Sequence, residues 1–384
     1  MHVPFCFHKC HYCDFYSFVD SRDRQEDFVQ ALLTELRALA PAARPLKTIF
    51  VGGGTPSLLR PDLWNRLLGE FSSLFDLSEK PEFTVECNPE TVTAELAAVL
   101  AAGGVNRVSV GAQSFHTKHL KTLERWHDPV NVERSLAHAR DAGIARRSVD
   151  LIFGIPGQSL DEWQSDLETA LGLLGGEGVE HLSCYALTYE LGTAMTKKVE
   201  LGRVAPIDED IEVDMQLLTW DLLTSRGFDR YEVSNFARPG AECRHNMAYW
   251  RQEQWLAAGP SASGHAAGYR WKNIPRLTDW MRSIERCGGW SEVVDLEAPD
   301  SGRALAEWIM TGLRLREGLD LEQLTGRAEA LGVGPAMDRA VDRNVATGAL
   351  EISEAGRLRL LGRGWLFADG IASDLMQIIR RPAE

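Results

Sequence analysis

Three cysteines open the chain as Cys6-x3-Cys10-x2-Cys13. Thiolates crowded into one loop read as ligands of a metal centre. Iron–sulfur clusters ordinarily take four cysteines, so a loop of three leaves one iron of a four-iron cubane free to bind something else. An open position on a redox metal is a place for chemistry. The alternative is a structural zinc knot with His8 or His11 completing a tetrahedral shell. No second knuckle accompanies it, because Cys87, Cys184, Cys243 and Cys287 stand singly.

A second set of groups lies further on. Gly52-Gly53-Gly54-Thr55-Pro56 follows the apolar run Ile49-Phe50-Val51. Glycines there let the backbone approach a ligand closely. The run lacks the lysine of a phosphate loop. Glu86 closes Thr84-Val85-Glu86, Gln113 follows Gly111-Ala112, Arg125 comes shortly after, and Asp150 opens Asp150-Leu151-Ile152-Phe153. Each carboxylate alone could cap a helix or pair with a cation. Together they offer acceptors, one cation and a bare backbone edge, which suit a ligand carrying an ammonium, a carboxylate and ribose hydroxyls.

Something must bring these positions together. Apolar runs at 48–51, 83–86, 107–110, 148–153, 181–186 and 230–233 read as strands. Between them lie helical stretches, such as Phe28, Leu32, Leu36 and Leu39 on one face and Ile211, Met215, Leu218 and Leu222 on another. Alternating strand and helix predict an α/β fold, a partial (β/α)6 barrel with a parallel sheet inside its helices. Sites in such barrels form at the carboxyl ends of the strands, where the residues above fall. The barrel is expected over residues 1–236. Residues 237–302, rich in Trp, Gly and Pro, read as an irregular connection. Residues 303–384 read as a small α-rich, winged-helix-like unit, with helices and then a short strand pair near 349–361.

The bulk properties bound the function. The 384 residues are 44% hydrophobic and 25% charged, an ordinary globular balance. A net charge of −14 without a basic cluster disfavours nucleic acid. No apolar leader precedes Pro4, no run has the length of a membrane span, and seven cysteines with three crowded do not form a disulfide framework. A cytoplasmic protein is expected.

The cysteine spacing, with Tyr12 before the last thiol, resembles the signature of the radical S-adenosylmethionine (SAM) family. Gly53-Gly54-Thr55-Pro56, Glu86, Gln113, Arg125 and Asp150 resemble the branch of that family holding oxygen-independent coproporphyrinogen III oxidases and heme chaperones. The resemblance implies a [4Fe–4S] cluster on Cys6, Cys10 and Cys13, with SAM chelated to the free iron. It implies that Glu86 and the backbone of Gly53, Gly54 and Thr55 meet the SAM ammonium and that Arg125 pairs with its carboxylate. Gln113 and Asp150 would hold the ribose, and Ala186 would lie near the adenine. The oxidases carry a fourth cysteine where this chain has Phe15, which is how the chaperone branch reads. His245-Asn246-Met247-Ala248-Tyr249-Trp250 resembles a motif of that branch associated with heme, implying His245, Tyr249 and Trp250 as heme contacts. Heme and heme-accepting apoproteins are then the expected partners, with a membrane-associated acceptor and a homodimer both compatible with the branch. Members of the branch carry an aromatic residue ahead of His-x-Pro. Here Met1 stands directly before His2-Val3-Pro4, so a short first strand, a missing tyrosine contact and weaker cluster retention are expected.

Overall fold

The computed structural model describes residues 1–380. The chain starts with β1 (His2–Val3), and two short strands, β2 (Phe5–Cys6) and β3 (Phe18–Val19), bracket the cysteine loop. Strand–helix units follow: α1 (Gln25–Leu39), β4 (Thr48–Gly53), α2 (Pro61–Leu74), β5 (Glu82–Cys87), α3 (Ala94–Ala102) and β6 (Arg107–Gln113). After β6 come α4 (Thr117–Leu123), α5 (Val130–Asp141), β7 (Arg146–Phe153), α6 (Leu160–Gly172) and β8 (His181–Ala186). β1, β4, β5, β6, β7 and β8 pair in that order, all parallel, as the repeated strand–helix pattern predicts.

Period-2 alternation sorts each strand. Ile49, Val51, Phe83, Val85, Val108, Val110, Val149 and Leu151 pack outward with Phe28, Leu32 and Trp64 of the helices into one apolar core. The intervening residues turn to the barrel interior, where Thr84, Arg107, Ser148, His181 and Ser183 are buried polar groups. Ser148 Oγ meets His181 Nδ1 at 2.7 Å, and His181 Nε2 meets the Tyr231 hydroxyl at 2.7 Å. The interior is therefore a polar chamber.

The strand expected at 230–233 is replaced by a hairpin. After α7 (Ala194–Glu200) and α8 (Glu209–Ser225), β9 (Asp229–Arg230) and β10 (Asn235–Ala237) run antiparallel, and β10 pairs antiparallel with β8. Four residues cannot carry the crossover that a parallel partner needs. The Glu232 carboxylate accepts from Ser234 N (3.2 Å) and turns the chain back.

The stretch expected to be irregular is ordered. It forms α9 (Arg244–Trp250), a three-stranded antiparallel sheet of β11 (Ser263–Ala266), β12 (Tyr269–Asn273) and β13 (Val293–Glu297), and α10 (Leu277–Arg286). The turn between β11 and β12 has two central residues, Ala267 and Gly268, at φ 50° and 78°. That geometry suits a tight hairpin, and an alanine in its first position hides the usual sequence signal. The C-terminal unit has α11 (Ser301–Gly312), β14 (Leu319–Asp320), α12 (Leu321–Ala330), α13 (Gly334–Ala346), β15 (Leu350–Ile352), β16 (Arg357–Leu360) and α14 (Ala368–Arg380). Its own core includes Leu305, Ile309, Leu324, Met337, Leu358 and Leu375. No helix of the described residues is long and apolar enough to cross a membrane.

Arg230 joins the two units. Its guanidinium lies between the rings of Trp220 on α8, at 4.0 Å, and Trp365 of the C-terminal unit, at 3.9 Å. Burial, with Arg316 nearby, pulls its value down to about 10. A desolvated cation between two tryptophan faces contributes about 2 kcal/mol. Arg230→Ala is expected to lower the denaturant midpoint by a corresponding amount and to speed proteolysis between the units. Unchanged stability and cleavage rate would count against this junction.

Candidate functional site

The cysteine loop lies over the carboxyl ends of the parallel strands. Thr55 Oγ1 donates to Cys6 Sγ at 3.5 Å, and Arg125 Nη1 donates to Cys10 Sγ at 3.8 Å. His11 N donates to Leu123 O (3.1 Å) and Met195 N donates to His11 O (2.9 Å), so α4 and α7 hold the loop from either side. Of the two histidines of the zinc alternative, His11 has its Nδ1 2.9 Å from Lys198 Nζ, while His8 stacks on Trp126 (4.1 Å, 7°) with its Nε2 buried and unpartnered. Among the described residues no three Cys, His, Asp or Glu side chains gather as they would around a single ion. A cubane, which spreads its thiolates over three iron corners, does not require that convergence.

The glycine run forms the adjoining wall. Gly53 has φ 107°, and a Cβ there would sit 2.3 Å from the His2 ring. A Cβ on Gly54 would strike Phe5 O at 2.7 Å. Both positions therefore need glycine. Gly54 N and Thr55 N donate to Val3 O and Phe5 O, each at 2.7 Å, which ties the wall to the loop. Gly53 N donates to Glu86 Oε2 at 3.0 Å. Glu86 is held at about 7, above its ordinary 4.5, by burial first and then by Asp150. Burial also raises Asp150, whose carboxylate accepts from Ser109 Oγ at 2.9 and 3.1 Å.

Arg125 follows α4, which Glu124 ends in the left-handed conformation (φ 52°). Arg125 Nη2 donates to Gly111 O at 3.0 Å, while its Nε is buried without a partner. An orphaned guanidinium N–H beside the thiols suits an incoming carboxylate. Gln113 also has positive φ (66°), and its Nε2 lies beside Gly111 with the Arg125 guanidinium. Ala186 ends β8 in register with Phe153. The donor set of this end, three thiols with one cation, buried carboxylates and a bare glycine edge, fits an iron–sulfur cluster with a bound amino acid moiety.

The second candidate cluster lies on α9. The Glu82 carboxylate accepts from Arg244 N and His245 N, each at 3.1 Å, and from Cys243 Sγ at 3.5 Å. It thereby caps the helix and takes up Cys243, a thiol that burial pushes up to about 12. His245 is 8% exposed and stacks on Phe50 (5.0 Å, 13°). Its Nδ1 lies 2.8 Å from Thr48 Oγ1 and its Nε2 2.9 Å from the Tyr249 hydroxyl, so neither nitrogen is free. Burial holds it down at about 3, and it stays neutral. Tyr249, one turn later, is 39% exposed and packs edge-on against Trp255 at 4.6 Å. Trp250 turns away toward Arg314 (5.5 Å), so the three motif residues do not share one surface.

A single open cavity of about 2280 Å³ reaches from Gly53 and Glu86 to His245, Tyr249 and Trp255. This exceeds the few hundred to about 1,000 Å³ of a usual ligand pocket. Thr48 and Ser109 were not singled out from the sequence, although each orients a candidate residue. The available signal was a lone hydroxyl at an inward-facing position of a strand.

The Radical SAM superfamily model matches residues 1–170. The chain is 35% identical to heme chaperone HemW of Mycobacterium tuberculosis over 98% of its length and 94% of that protein. It is 34% identical to heme chaperone HemW of Escherichia coli, covering 94% and 95% of the two chains. The solved structure of coproporphyrinogen III oxidase (HemN) from E. coli superposes with a TM-score of 0.82 at 20% identity, covering 97% of this chain and 88% of that one, and it shares the fold.

The raised value of Glu86 has a definite sign. Between about 4.5 and about 7 the folded chain keeps a proton that the unfolded chain has lost. The associated stability is full below the lower value and disappears as pH rises through the upper one. SAM-free protein is therefore expected to unfold more easily at about pH 8 than at about pH 5, and Glu86→Gln should remove about 2–3 kcal/mol of that difference. Denaturant melts across the range measure it, and an equally steep loss in the variant would exclude Glu86 as a source. On fold, motifs and identity along nearly its whole length, this chain belongs to the HemW family of radical SAM proteins.

Proposed function

We propose that this protein is a heme chaperone that takes up heme and passes it to heme-accepting apoproteins, on a barrel that also holds a [4Fe–4S] cluster and SAM. The carrying observation is the continuous cavity with two different chemistries at its ends. One end reaches Gly53 and Glu86, on the glycine wall to which Thr55 ties the Cys6 thiol; the other offers an aromatic wall of Phe50, Tyr249 and Trp255. A flat apolar macrocycle suits such a wall. The names of the relatives support the same reading.

At the upper end, Cys6, Cys10 and Cys13 would ligate three irons. Glu86 would accept from the SAM ammonium, and Arg125 would offer its unpartnered Nε to the carboxylate. Gln113 and Asp150 would take the ribose, with Ser109 fixing the Asp150 carboxylate, and Ala186 would border the adenine. The cluster, when reduced, supplies one-electron cleavage of a sulfonium; the protein contributes binding and exclusion of water.

Because Glu86 must be ionised to receive an ammonium, SAM affinity is expected to rise as pH climbs through about 7. Calorimetry on reconstituted protein tests this, and an affinity that falls over that range would contradict the role. Heme titration tests the main reading: a saturable spectral change on adding hemin is expected, and its absence would count against the reading. The runner-up is oxidation of coproporphyrinogen III. Phe15, 62% exposed, stands where the oxidases carry a fourth cysteine. Anaerobic turnover of that porphyrinogen by the reduced protein, without hemin binding, would reverse the order.

A further inference from the structure

The geometry of α9 points to Tyr249, and not His245, as the side chain that ligates the iron of bound heme, with His245 as its positioning residue. This inference rests on the heme reading above and assigns roles within that site.

His245 is poorly placed to be the ligand. Both its nitrogens are engaged, its ring lies flat against Phe50, and it is buried. Ligating iron would require it to give up Thr48 or Tyr249 and leave the stack. The Tyr249 hydroxyl, by contrast, belongs to a side chain that lines the cavity and is 39% exposed. Tyrosine oxygen is an established axial ligand of ferric heme. The i to i+4 spacing puts the two residues on one helix face, and the bond from His245 Nε2 to the phenol (2.9 Å) is already made.

The Thr48 contact completes the arrangement. When Thr48 Oγ1 donates to Nδ1, the imidazole carries its proton on Nε2 and directs it at the phenol oxygen. Coordination then forms one Fe–O bond in place of the hemin's axial water, breaks the phenolic O–H bond and releases that proton to solvent. The Nε2–H donates to the resulting phenolate, and iron stays ferric throughout. Trp255, edge-on to Tyr249, borders the same wall and limits where the macrocycle lies. Glu82 fixes the first turn of the helix, so the phenol is held relative to the barrel.

The test titrates full-length, cluster-reconstituted protein with hemin and, in parallel, with metal-free protoporphyrin IX, for wild type, Tyr249→Phe and His245→Gln. Wild type should prefer hemin by at least about tenfold and give iron–phenolate modes in resonance Raman spectra. Tyr249→Phe should bind both porphyrins alike and lack those modes. His245→Gln should keep them at a shifted frequency. A Tyr249→Phe protein that keeps or strengthens the preference for hemin overturns the assignment, because it frees His245 Nε2 to ligate. Should that variant not fold, the wild-type spectrum alone decides: bound hemin without phenolate modes overturns the assignment and leaves the heme reading standing. A wild type that takes neither porphyrin overturns both.

Discussion

A parallel sheet of six strands leaves two unpaired edges, and burying open main-chain donors and acceptors is costly. Both edges here are met by segments outside the barrel. On the β1 side, His2 N donates to Ala258 O (2.8 Å), and Gly259 (φ 99°) passes so close that a Cβ would meet His2 O at 2.3 Å. That segment is held in turn by Glu35 of α1, whose carboxylate accepts from Gly259 N (2.6 Å) and Asn273 Nδ2 (2.9 Å). At the far side, β10 and β9 extend the sheet, Glu232 bridges to Leu315, and Arg316 N donates to Tyr231 O at 2.9 Å. The residues after the barrel are thus its closing parts. The space they leave beside β4 is the cavity, and its walls come from segments far apart in sequence.

That dependence explains which parts the sequence makes legible. The strands of the parallel sheet are buried on the outer face by helices and alternate in type, so their existence follows from local pattern; 181–186 matches His181–Ala186 throughout. The glycine run and Glu86 are likewise readable as candidates, because a bare or polar position at the end of an apolar strand conflicts with simple core packing, whereas Asp150 lies within β7 and Arg125 follows α4. Residues 255–273 give no such pattern. Their conformation is set by partners on α1 and β1, and a turn built on Ala267 carries little intrinsic preference. The hairpin after Asp229 depends on the Glu232 carboxylate, a buried charge whose role appears only with the chain folded around it.

His245 illustrates the same limit at a single residue. From sequence, a histidine within an aromatic motif reads equally as a ligand or as a packed side chain. Its partners decide: Thr48 lies 197 positions earlier in the chain and Phe50 two beyond that, both on β4. Spacing within the motif could reveal only the Tyr249 contact, which α-helical geometry brings within reach. Trp250, adjacent in sequence, points elsewhere for the same reason, since neighbouring helical residues are about 100° apart.

β4 and β5 bind the two ends of the cavity into one rigid frame. β4 carries Thr48, which orients His245, and Gly53, which faces the thiol end. β5 carries Glu82, which caps α9, and Glu86, which bonds Gly53 N. Four or five residues of extended strand separate the two ends, about 13–17 Å. Extended strands hydrogen-bonded to their neighbours do not change that length, so nothing bound at the glycine edge can push directly on α9 through them. The ends meet through space instead: burial first, and then the Glu86 carboxylate, raises the Tyr249 phenol to about 12.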